Sequence, residues 1–366
     1  MKHYLSILGH NQDLSIAELE SIIPALIKED SPAGLFYFSA AELNPVTLIN
    51  RLGGTKKLAE LIATVSVEDL VSCITPLMTN NRFEYSLTNL DHTSDETLAR
   101  KLKHSLKEKG ISARFVSSTT GTGVQPILIT NGQVVDLLYS PKTSRLYQTK
   151  AVSDYHDWTR RDREKPFIMP QSGMLPPKLA RIMVNLGLGE ETHKVLLDPF
   201  CGSGTVLMEG ALVGASCIGS DLDATRLAGT NKNLTWLKSF NPQIADFTLY
   251  QSDATHISSH IETAVDAIVT EPLLGPPHPE RTNLKNLVKG LDKLYLGSLK
   301  NWSKFLQAKA RVVMVMPHFS YEGHEFRTGR FIDTRENLGY NLLRSDLFFT
   351  RPKDGIKRQI IILEKQ

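Results

Sequence analysis

The stretch Leu-Asp-Pro-Phe-Cys-Gly-Ser-Gly-Thr, residues 197–205, decides the fold of this chain. It follows an apolar run and precedes Val-Leu-Met-Glu, which is the order of a strand, a glycine turn and a helix start. Gly202 and Gly204 lack a Cβ, so the backbone can turn tightly and leave room for a ligand. The helix that follows offers free N–H groups and the positive end of its dipole to an anion.

Asp198 adds a negative charge at the carboxyl end of the predicted strand, beside this anion site. A phosphate site rarely carries a carboxylate there, whereas a zwitterion with an ammonium and a carboxylate fits both charges. S-adenosylmethionine is such a molecule. A dinucleotide fingerprint would need a third glycine at the position of Leu207. The pattern therefore favours S-adenosylmethionine over a nicotinamide cofactor.

The composition is that of an ordinary globular protein, with 366 residues, 41% hydrophobic and 22% charged, and its length suggests two or three domains. A net charge of +3 permits a nucleic-acid partner without arguing for one. Cys73, Cys201 and Cys217 are odd in number and lack C-x-x-C spacing, which argues against disulfides and a zinc site. We expect reduced thiols, a cytoplasmic location, no membrane span and no bound metal.

Short strands and helices alternate in the first part of the chain. The predicted elements are strands at 3–8, 35–39, 82–89 and 111–117, helices at 15–23, from 44 and at 94–109, and a hairpin of 127–129 with 134–139. Ser15 is predicted to cap its helix, with Glu18 at the capping-box position. The Asn-Gly pair at 131–132 is a strong hairpin signal. These elements predict two small α/β units, over 1–75 and 76–141.

A basic and aromatic segment follows, and it is predicted to be a linker over residues 142–170. Tyr147, Tyr155, Trp158 and Phe167 are interleaved with its charges. Basic and aromatic residues together can bind phosphates and stack bases, or they can form a solvated linker that packs on its neighbours. The predicted RNA-binding residues are Lys142, Arg145, Arg160, Arg161, Arg163 and Lys178.

From residue 195 onward, strands and helices alternate as in a doubly wound parallel sheet. The predicted strands are 195–198, 216–221, 247–251, 265–270, 311–316, 342–349 and 358–364. The last two are separated by a turn-rich connector, which predicts an antiparallel hairpin at the far side of the sheet.

Aspartates follow the first three of these strands, where ligands bind in open α/β sheets. Asp221 can accept both ribose hydroxyls of an adenosyl group, and Asp223 is the alternative residue for this role. The alternative role for Asp221 is to cap the helix that follows. Asp253 can meet the adenine amino group or cap a helix. The residues predicted to bind the cofactor are Asp198, Phe200, Gly202, Gly204, Thr205, Asp221, Leu222, Asp253 and Ala254.

The fourth strand runs into Glu271 and Pro272. The motif at 198–205 closely resembles that of S-adenosylmethionine-dependent methyltransferases that act on exocyclic amines of nucleic-acid bases. The lone pair of such an amine is delocalised into the ring, so the enzyme must hold its N–H groups with acceptors. Glu271 and the carbonyl of Pro272 are the predicted catalytic acceptors, and the target base must be flipped out or unpaired.

The loop at 271–277 departs from the pattern of that group, which has Asp or Asn, then Pro-Pro, then an aromatic residue that stacks on the base. This chain has Glu-Pro-Leu-Leu. Either Phe319, Tyr321 or Trp158 supplies the aromatic platform, or the site has lost catalytic power. We predict an active enzyme with a modified pocket.

Further segments resemble the THUMP-domain tRNA guanosine-N2-methyltransferases. They are Arg161-Asp162, Lys165-Pro166, Gly-Met-Leu-Pro-Pro-Lys-Leu-Ala-Arg at 173–181, Asn185-Leu186, and the N-terminal pieces at 4–5 and 14–20. The resemblance implies a ferredoxin-like domain over 1–75, a THUMP domain over 76–141 and a Rossmann-like class I methyltransferase domain over 171–366. It implies N2-methylation of guanosine, typically at position 10 of tRNA, with S-adenosylmethionine as cofactor.

The partners implied are tRNA and, in some lineages of that family, a small activating subunit; we expect a monomer with no membrane partner. Two alternatives remain open. One is a THUMP-type RNA-binding protein whose methyltransferase fold no longer turns over. The other is an amino-methyltransferase that acts on another nucleic acid.

Overall fold

A computed structural model of the chain describes residues 1–77, 83–91, 95–116, 126–169, 174–191, 193–276, 283–321, 324–349 and 356–366. The chain divides into two compact units. The first consists of Met1–Gln12, Ile23–Arg51 and Thr55–Tyr155, and the second of Asp13–Ile22, Leu52–Gly54 and His156–Gln366. The finer boundaries at 75, 141 and 170 stay predictions.

The elements up to residue 152 are, in chain order, β1 Lys2–Leu8, α1 Gln12–Ile22, β2 Ile27–Lys28, β3 Leu35–Ala40, α2 Pro45–Arg51, β4 Thr55–Thr64, α3 Leu70–Ile74, β5 Phe83–Asn89, α4 Asp95–Glu108, β6 Ala113–Phe115, α5 Pro126–Thr130, β7 Val135–Ser140 and β8 Arg145–Val152. The first unit forms an eight-stranded sheet in the order β2-β3-β1-β4-β8-β7-β5-β6. Strand β5 runs parallel to β6 and β7, whereas the other described pairs are antiparallel.

The predicted hairpin at 127–139 is wrong. Ile127–Ile129 lie in α5, and Gly132 N–H donates to the Ile129 carbonyl at 3.0 Å. Strand β7 pairs with β5 and β8. The Asn-Gly pair ends a short helix here, because a glycine suits the residue after a helix as well as it suits a hairpin turn.

The elements after residue 152 are α6 Tyr155–Arg163, α7 Pro177–Leu188, β9 Val195–Asp198, α8 Thr205–Leu212, β10 Ser216–Asp221, α9 Ala224–Phe240, β11 Phe247–Gln251, β12 Val265–Thr270, α10 Leu284–Trp302, β13 Leu306–Tyr321, β14 His324–Arg327, α11 Arg330–Thr334, β15 Tyr340–Phe349 and β16 Ile356–Lys365. The predicted linker over 142–170 therefore contains a strand and a helix, because the alternating residues of 145–152 join the first unit's sheet.

The second unit has a sheet in the order β11-β10-β9-β12-β13-β16-β15, with β14 paired to β13. Strands β9 to β13 are parallel, and β13, β16 and β15 are antiparallel neighbours, which confirms the predicted doubly wound sheet and its terminal hairpin. One apolar core contains residues of α7 and α8, and the other contains residues of α10. In the part of the chain described here, no helix has both the length and the apolarity to cross a bilayer.

Helix α1 is part of the second unit although its sequence lies near the N-terminus. Leu14 and Ala17 join the core that contains α7. The buried Glu18 carboxylate accepts hydrogen bonds from Gly53 N–H, Gly54 N–H and the Asn185 side chain at 2.7–2.8 Å, and burial raises its pKa to about 6.

The predicted capping box at Ser15 is therefore wrong. The helix begins at Gln12, and the Ser15 hydroxyl donates to the Gly54 carbonyl at 2.9 Å. The Ser15 and Glu18 side chains both form hydrogen bonds with backbone groups of Gly53 and Gly54. This is a tertiary role, which the local spacing of the sequence does not reveal.

Candidate functional site

The carboxyl ends of β9, β10, β11 and β12 lie side by side at one edge of the second sheet. Asp198 and Asp221 are the last residues of β9 and β10. Asp253 follows the end of β11 by two residues, and Glu271 directly follows β12. The strand order thus brings the four predicted carboxylates to one edge.

The glycine turn between β9 and α8 is tied to its surroundings by hydrogen bonds. Gly202 N–H donates to Asp221 Oδ2 at 3.0 Å, and Thr230 Oγ1 donates to the Gly202 carbonyl at 2.7 Å. The φ of Gly204 is +79°, and a Cβ at this position would lie 2.7 Å from Thr230 Cγ2. Position 204 therefore requires glycine for its conformation and for space.

Asp198 is the most strongly perturbed carboxyl at this edge. It is 2% exposed, and its Oδ1 accepts hydrogen bonds from Thr270 Oγ1 at 2.7 Å and Phe200 N–H at 3.1 Å. Burial raises its pKa to about 7, and the charges of Asp221 and Glu271 act in the same direction. A cationic ligand beside this carboxyl would favour its ionised form.

The structure separates Asp221 from its competitor Asp223. Asp223 caps α9, with its Oδ1 accepting hydrogen bonds from Thr225 N–H and Arg226 N–H. Asp221 is buried and accepts one backbone hydrogen bond on each oxygen, from Gly202 and from Asp223. Each oxygen keeps a second lone pair, so Asp221 can still accept ligand hydroxyls.

Asp253 makes local hydrogen bonds in a turn and does not cap a helix, because the next helical turn, Ile257–Ser259, is preceded by His256. Its Oδ1 accepts hydrogen bonds from Thr255 N–H and Oγ1, both at 2.8 Å, and these bonds lower its pKa. Beside it, Ala254 is buried and accepts a hydrogen bond from Trp302 Nε1, whereas Leu222 is 70% exposed. Contact of these residues with an adenine ring stays a prediction.

Glu271 forms an ion pair that the sequence did not predict. The Nε of Arg358, on β16, donates to Glu271 Oε1 at 2.7 Å, and both side chains are largely buried. The Tyr295 hydroxyl donates to the Leu273 carbonyl at 2.6 Å, which ties the loop after Pro272 to helix α10. The acidic group and the loop backbone are thus both held in place.

Two of the three aromatic residues considered as a stacking platform are buried in other contacts. Phe319 is 2% exposed and belongs to the apolar core, so it cannot present a free ring face. Trp158 is 8% exposed, and the guanidinium of Arg161 lies 4.1 Å from its ring centroid. The side chain of Tyr321 and residue Pro277 lie outside the described residues.

The prediction that Arg161 binds RNA is wrong. Its side chain is 2% exposed, and its Nε donates to the fully buried Glu209 at 2.8 Å. Asp157 is a second partner, and Arg181 donates to the other oxygen of Glu209 at 2.7 Å. A buried carboxylate between two guanidinium groups is a structural ion-pair network, so these cations are not available to an RNA phosphate.

Other basic residues of the predicted set are also engaged. The guanidinium of Arg160 lies 3.5 Å from the Phe240 ring centroid, and Arg145 pairs with Glu29. Lys142, Arg163 and Lys178 are exposed. The sign of a side chain is visible in the sequence, but its burial is not.

Lys165 is a candidate site residue that the sequence did not assign to a role at the cofactor site. It is 3% exposed, and its Nζ donates to Thr205 Oγ1, at the start of α8, at 2.9 Å. No carboxylate of the described residues forms an ion pair with it, and burial lowers its pKa. An ammonium that is buried beside a helix N-terminus with one neutral acceptor is suited to an anionic ligand.

Within the described ranges, no three His, Cys, Asp or Glu side chains are grouped so that they could hold a metal ion. The groups that the structure places at this edge are carboxylates, backbone N–H groups, a buried ammonium and the Glu271–Arg358 pair.

Sequence comparison relates this chain to RNA methyltransferases. A family model described as UPF0020, RMKL-like, methyltransferase domain, matches residues 164–321. A tRNA (guanine(10)-N2)-dimethyltransferase of Methanothermobacter thermautotrophicus is 32% identical over 198 residues, 54% of this chain and 51% of that protein. A probable tRNA (guanine(10)-N2)-dimethyltransferase of Methanothermococcus thermolithotrophicus is 36% identical over 118 residues, 31% of this chain and 70% of that protein. The chain spans about half the length of the first of these relatives.

The fold also resembles that of a solved structure along its whole length. The crystal structure of TrmN from Thermus thermophilus matches with a TM-score of 0.51 and 18% sequence identity, over 100% of both chains. At this identity the match shows a shared fold.

Proposed function

This chain belongs to the tRNA (guanine(10)-N2)-dimethyltransferase family, and from that membership we propose that it transfers methyl groups from S-adenosylmethionine to the N2 amine of guanosine 10 in tRNA. The observation that carries the proposal is the placement of Asp198, Asp221 and Glu271 at one sheet edge beside the glycine turn. Asp198 and Asp221, at the glycine turn, suit a zwitterionic cofactor, and the neighbouring Glu271 and Pro272 carbonyl suit an amine.

The residues at the glycine turn fit the cofactor. Asp198 would pair with its ammonium, Lys165 with its carboxylate, and Asp221 with its ribose hydroxyls. The nearest atom to a Cβ built at Gly202 would be the Phe200 carbonyl oxygen, at 3.9 Å, so the backbone at Gly202 leaves room for a ligand to approach. S-adenosylmethionine supplies an electrophilic methyl group on a sulfonium when it is bound.

Glu271 and the Pro272 carbonyl would accept the N–H groups of the target amine. Holding both hydrogens with acceptors orients the nitrogen lone pair and raises its electron density as it attacks. The ion pair with Arg358 supports this role, because it fixes one oxygen of Glu271 and favours the ionised form. The target guanine has to be unpaired or flipped out to reach these groups.

We further propose a ferredoxin-like domain over 1–75 and a THUMP domain over 76–141 that grips tRNA; apart from Asp13–Ile22 and Leu52–Gly54, these ranges lie in the first unit. Its separate compact fold and its own eight-stranded sheet support a role distinct from catalysis. We also propose a monomer, and a location in the cytoplasm, where the three free cysteines would stay reduced.

The test is incubation of the protein with labelled S-adenosylmethionine and unmodified tRNA, followed by nucleoside mass spectrometry. We expect N2-methylated guanosine at position 10, and Glu271→Ala should abolish it while the variant still binds S-adenosylhomocysteine. Transfer to duplex DNA in preference to tRNA would support the alternative substrate.

Cofactor and tRNA binding without any transfer would support the RNA-binding alternative. The exposed Leu273, at a place where the related pattern has a proline followed by an aromatic ring, is the observation that favours this alternative. Full activity of Glu271→Ala would contradict the assignment of the catalytic acceptor.

A further inference from the structure

Helix α10 carries lysines along one exposed line. Lys285, Lys289, Lys293 and Lys300 are all exposed. At 3.6 residues per turn they fall within an arc of about 80° and extend over about 22 Å. We call these four residues the α10 lysine stripe.

Within the described ranges, no acidic side chain forms an ion pair with the α10 lysine stripe. The single carboxylate of the helix, Asp292, is buried, and its Oδ1 accepts a hydrogen bond from Gly329 N–H at 2.8 Å. Among the residues that the structure describes, none pairs with a lysine of the stripe, in contrast to Lys238, which pairs with Asp246. Like charges four residues apart destabilise a helix by about 0.2–0.5 kcal/mol per pair, and an anionic partner would relieve this repulsion.

The stripe lies on an element that is attached to the candidate site. Glu271 lies 13 positions before the N-terminus of α10 at Leu284 in the sequence. Tyr295 of the same helix donates its hydroxyl to the Leu273 carbonyl at 2.6 Å. The stripe therefore lies on the same helix that anchors the backbone at Leu273, next to the proposed acceptors Glu271 and Pro272.

We propose that the α10 lysine stripe binds the phosphate backbone of the tRNA substrate; this proposal rests on the proposed function of the chain. Lysines in a line suit a chain of phosphates, since each neutralised phosphate releases condensed counterions. Arg161 is buried in an ion-pair network, and the half-buried Arg145 and Arg160 contact Glu29 and Phe240, which reduces the basic surface that the sequence predicted elsewhere.

An anionic membrane surface is the other polyanion that a basic helix can meet. Insertion into lipid needs a broad apolar face that is free. In α10 the apolar face, with Leu291, Tyr295 and Leu299, is buried in the protein core. Leu296 is the one large hydrophobic side chain of the helix that is markedly exposed, at 38%. These contacts favour RNA.

The test compares two double variants of the full chain that lose the same charge. Lys289→Gln/Lys293→Gln removes two stripe residues, and the control Lys232→Gln/Lys309→Gln removes two exposed lysines of the same unit outside α10. Dissociation constants for unmodified tRNA are measured by filter binding between 50 and 300 mM KCl. Circular dichroism and S-adenosylhomocysteine affinity verify that each variant is folded.

We expect the stripe variant to bind tRNA about tenfold more weakly at low salt, with a log–log salt slope shallower by about 1.4–1.8, and the control to match the wild type. If the two variants have the same tRNA affinity and salt slope while the wild type still transfers methyl groups, RNA binding by the stripe is refuted and the proposed function is not. A wild-type protein that neither binds nor methylates tRNA would refute both the stripe proposal and the proposed function. Loss of binding to phosphatidylserine vesicles with unchanged tRNA binding would overturn RNA as the partner.

Discussion

Replacing Lys165 with methionine removes the buried ammonium beside the glycine turn and keeps most of the volume of the side chain. In the structure, this ammonium is 3% exposed and its hydrogen-bond partner is the neutral hydroxyl of Thr205. If it holds the carboxylate of the cofactor, the variant loses a charge-assisted hydrogen bond worth about 1.5–3 kcal/mol. At about 1.4 kcal/mol per factor of ten, the dissociation constant for S-adenosylhomocysteine should rise about 10- to 150-fold.

Calorimetry with two ligands isolates this interaction. S-adenosylhomocysteine contains the amino-acid carboxylate, whereas 5′-methylthioadenosine lacks the whole amino-acid end. Lys165→Met should weaken the first ligand and leave the second unchanged, and the exposed-lysine control Lys232→Met should change neither. The free energy of unfolding without ligand should be unchanged or higher, because an isolated buried charge costs stability.

Equal losses for the two ligands would show that Lys165 shapes the site as a whole and does not contact the carboxylate. Unchanged affinity for both would refute the assignment. Wild-type protein that bound neither ligand would refute the cofactor itself.

Three further changes test the rest of the site. Glu271→Gln should lower single-turnover methyl transfer about 100-fold or more with S-adenosylhomocysteine affinity unchanged, since a neutral amide is a weaker acceptor at the reacting amine; a wild-type rate would contradict this. Because the pKa of Asp198 is raised to about 7, this carboxyl is protonated at low pH and must ionise before it can pair with an ammonium. S-adenosylhomocysteine should thus bind the wild type about tenfold more weakly at pH 6 than at pH 8, whereas Asp198→Asn should show no such dependence in calorimetry. Gly204→Ala should lower the free energy of unfolding in urea by about 1–3 kcal/mol more than Gly202→Ala does. A Cβ at position 204 would lie 2.7 Å from Thr230, whereas a Cβ at position 202 would lie 3.9 Å from the Phe200 carbonyl oxygen. Equal losses of unfolding free energy in the two variants would argue against the clash at position 204.

Four of the five parallel strands of the second unit were predictable to the residue, whereas the fifth, β13, was predicted as 311–316 and spans Leu306–Tyr321. The bounds of β9, β10, β11 and β12 match the predicted ranges. Strands β9, β10 and β12 are mostly buried, and buried parallel strands are apolar runs between turn signals, whereas β11 is a half-exposed strand at the edge of the sheet. Their order then placed Asp198, Asp221 and Glu271 at one edge, since the carboxyl ends of parallel strands share that edge. Apolar runs separated by turn residues therefore predict the strands, and the parallel arrangement predicts where the carboxylates lie, without any knowledge of tertiary contacts.

The errors concern residues whose role depends on distant segments. Arg161 is an ordinary basic residue in the sequence, and its burial depends on Glu209, which is 48 residues away. Arg358 lies 87 residues from Glu271. Its strand was predicted, but nothing in the sequence indicated that this arginine would contact the site. Ser15 satisfied the local spacing of a helix cap, but its hydroxyl bonds Gly54 instead. Local spacing cannot reveal such partners.

The position of α1 in the second unit has a consequence for folding during synthesis. The Ser21 hydroxyl donates to the Asn185 carbonyl, 164 residues later, and Arg311 donates to the Ser21 hydroxyl across 290 residues. At a translation rate of about 5–20 residues per second, α1 waits roughly 8–33 s before Asn185 is made. During that time Leu14 and Ala17 lack the core that buries them. The segment 12–22 therefore leaves the ribosome before its docking site exists, and its apolar side chains are buried only after most of the chain has been made.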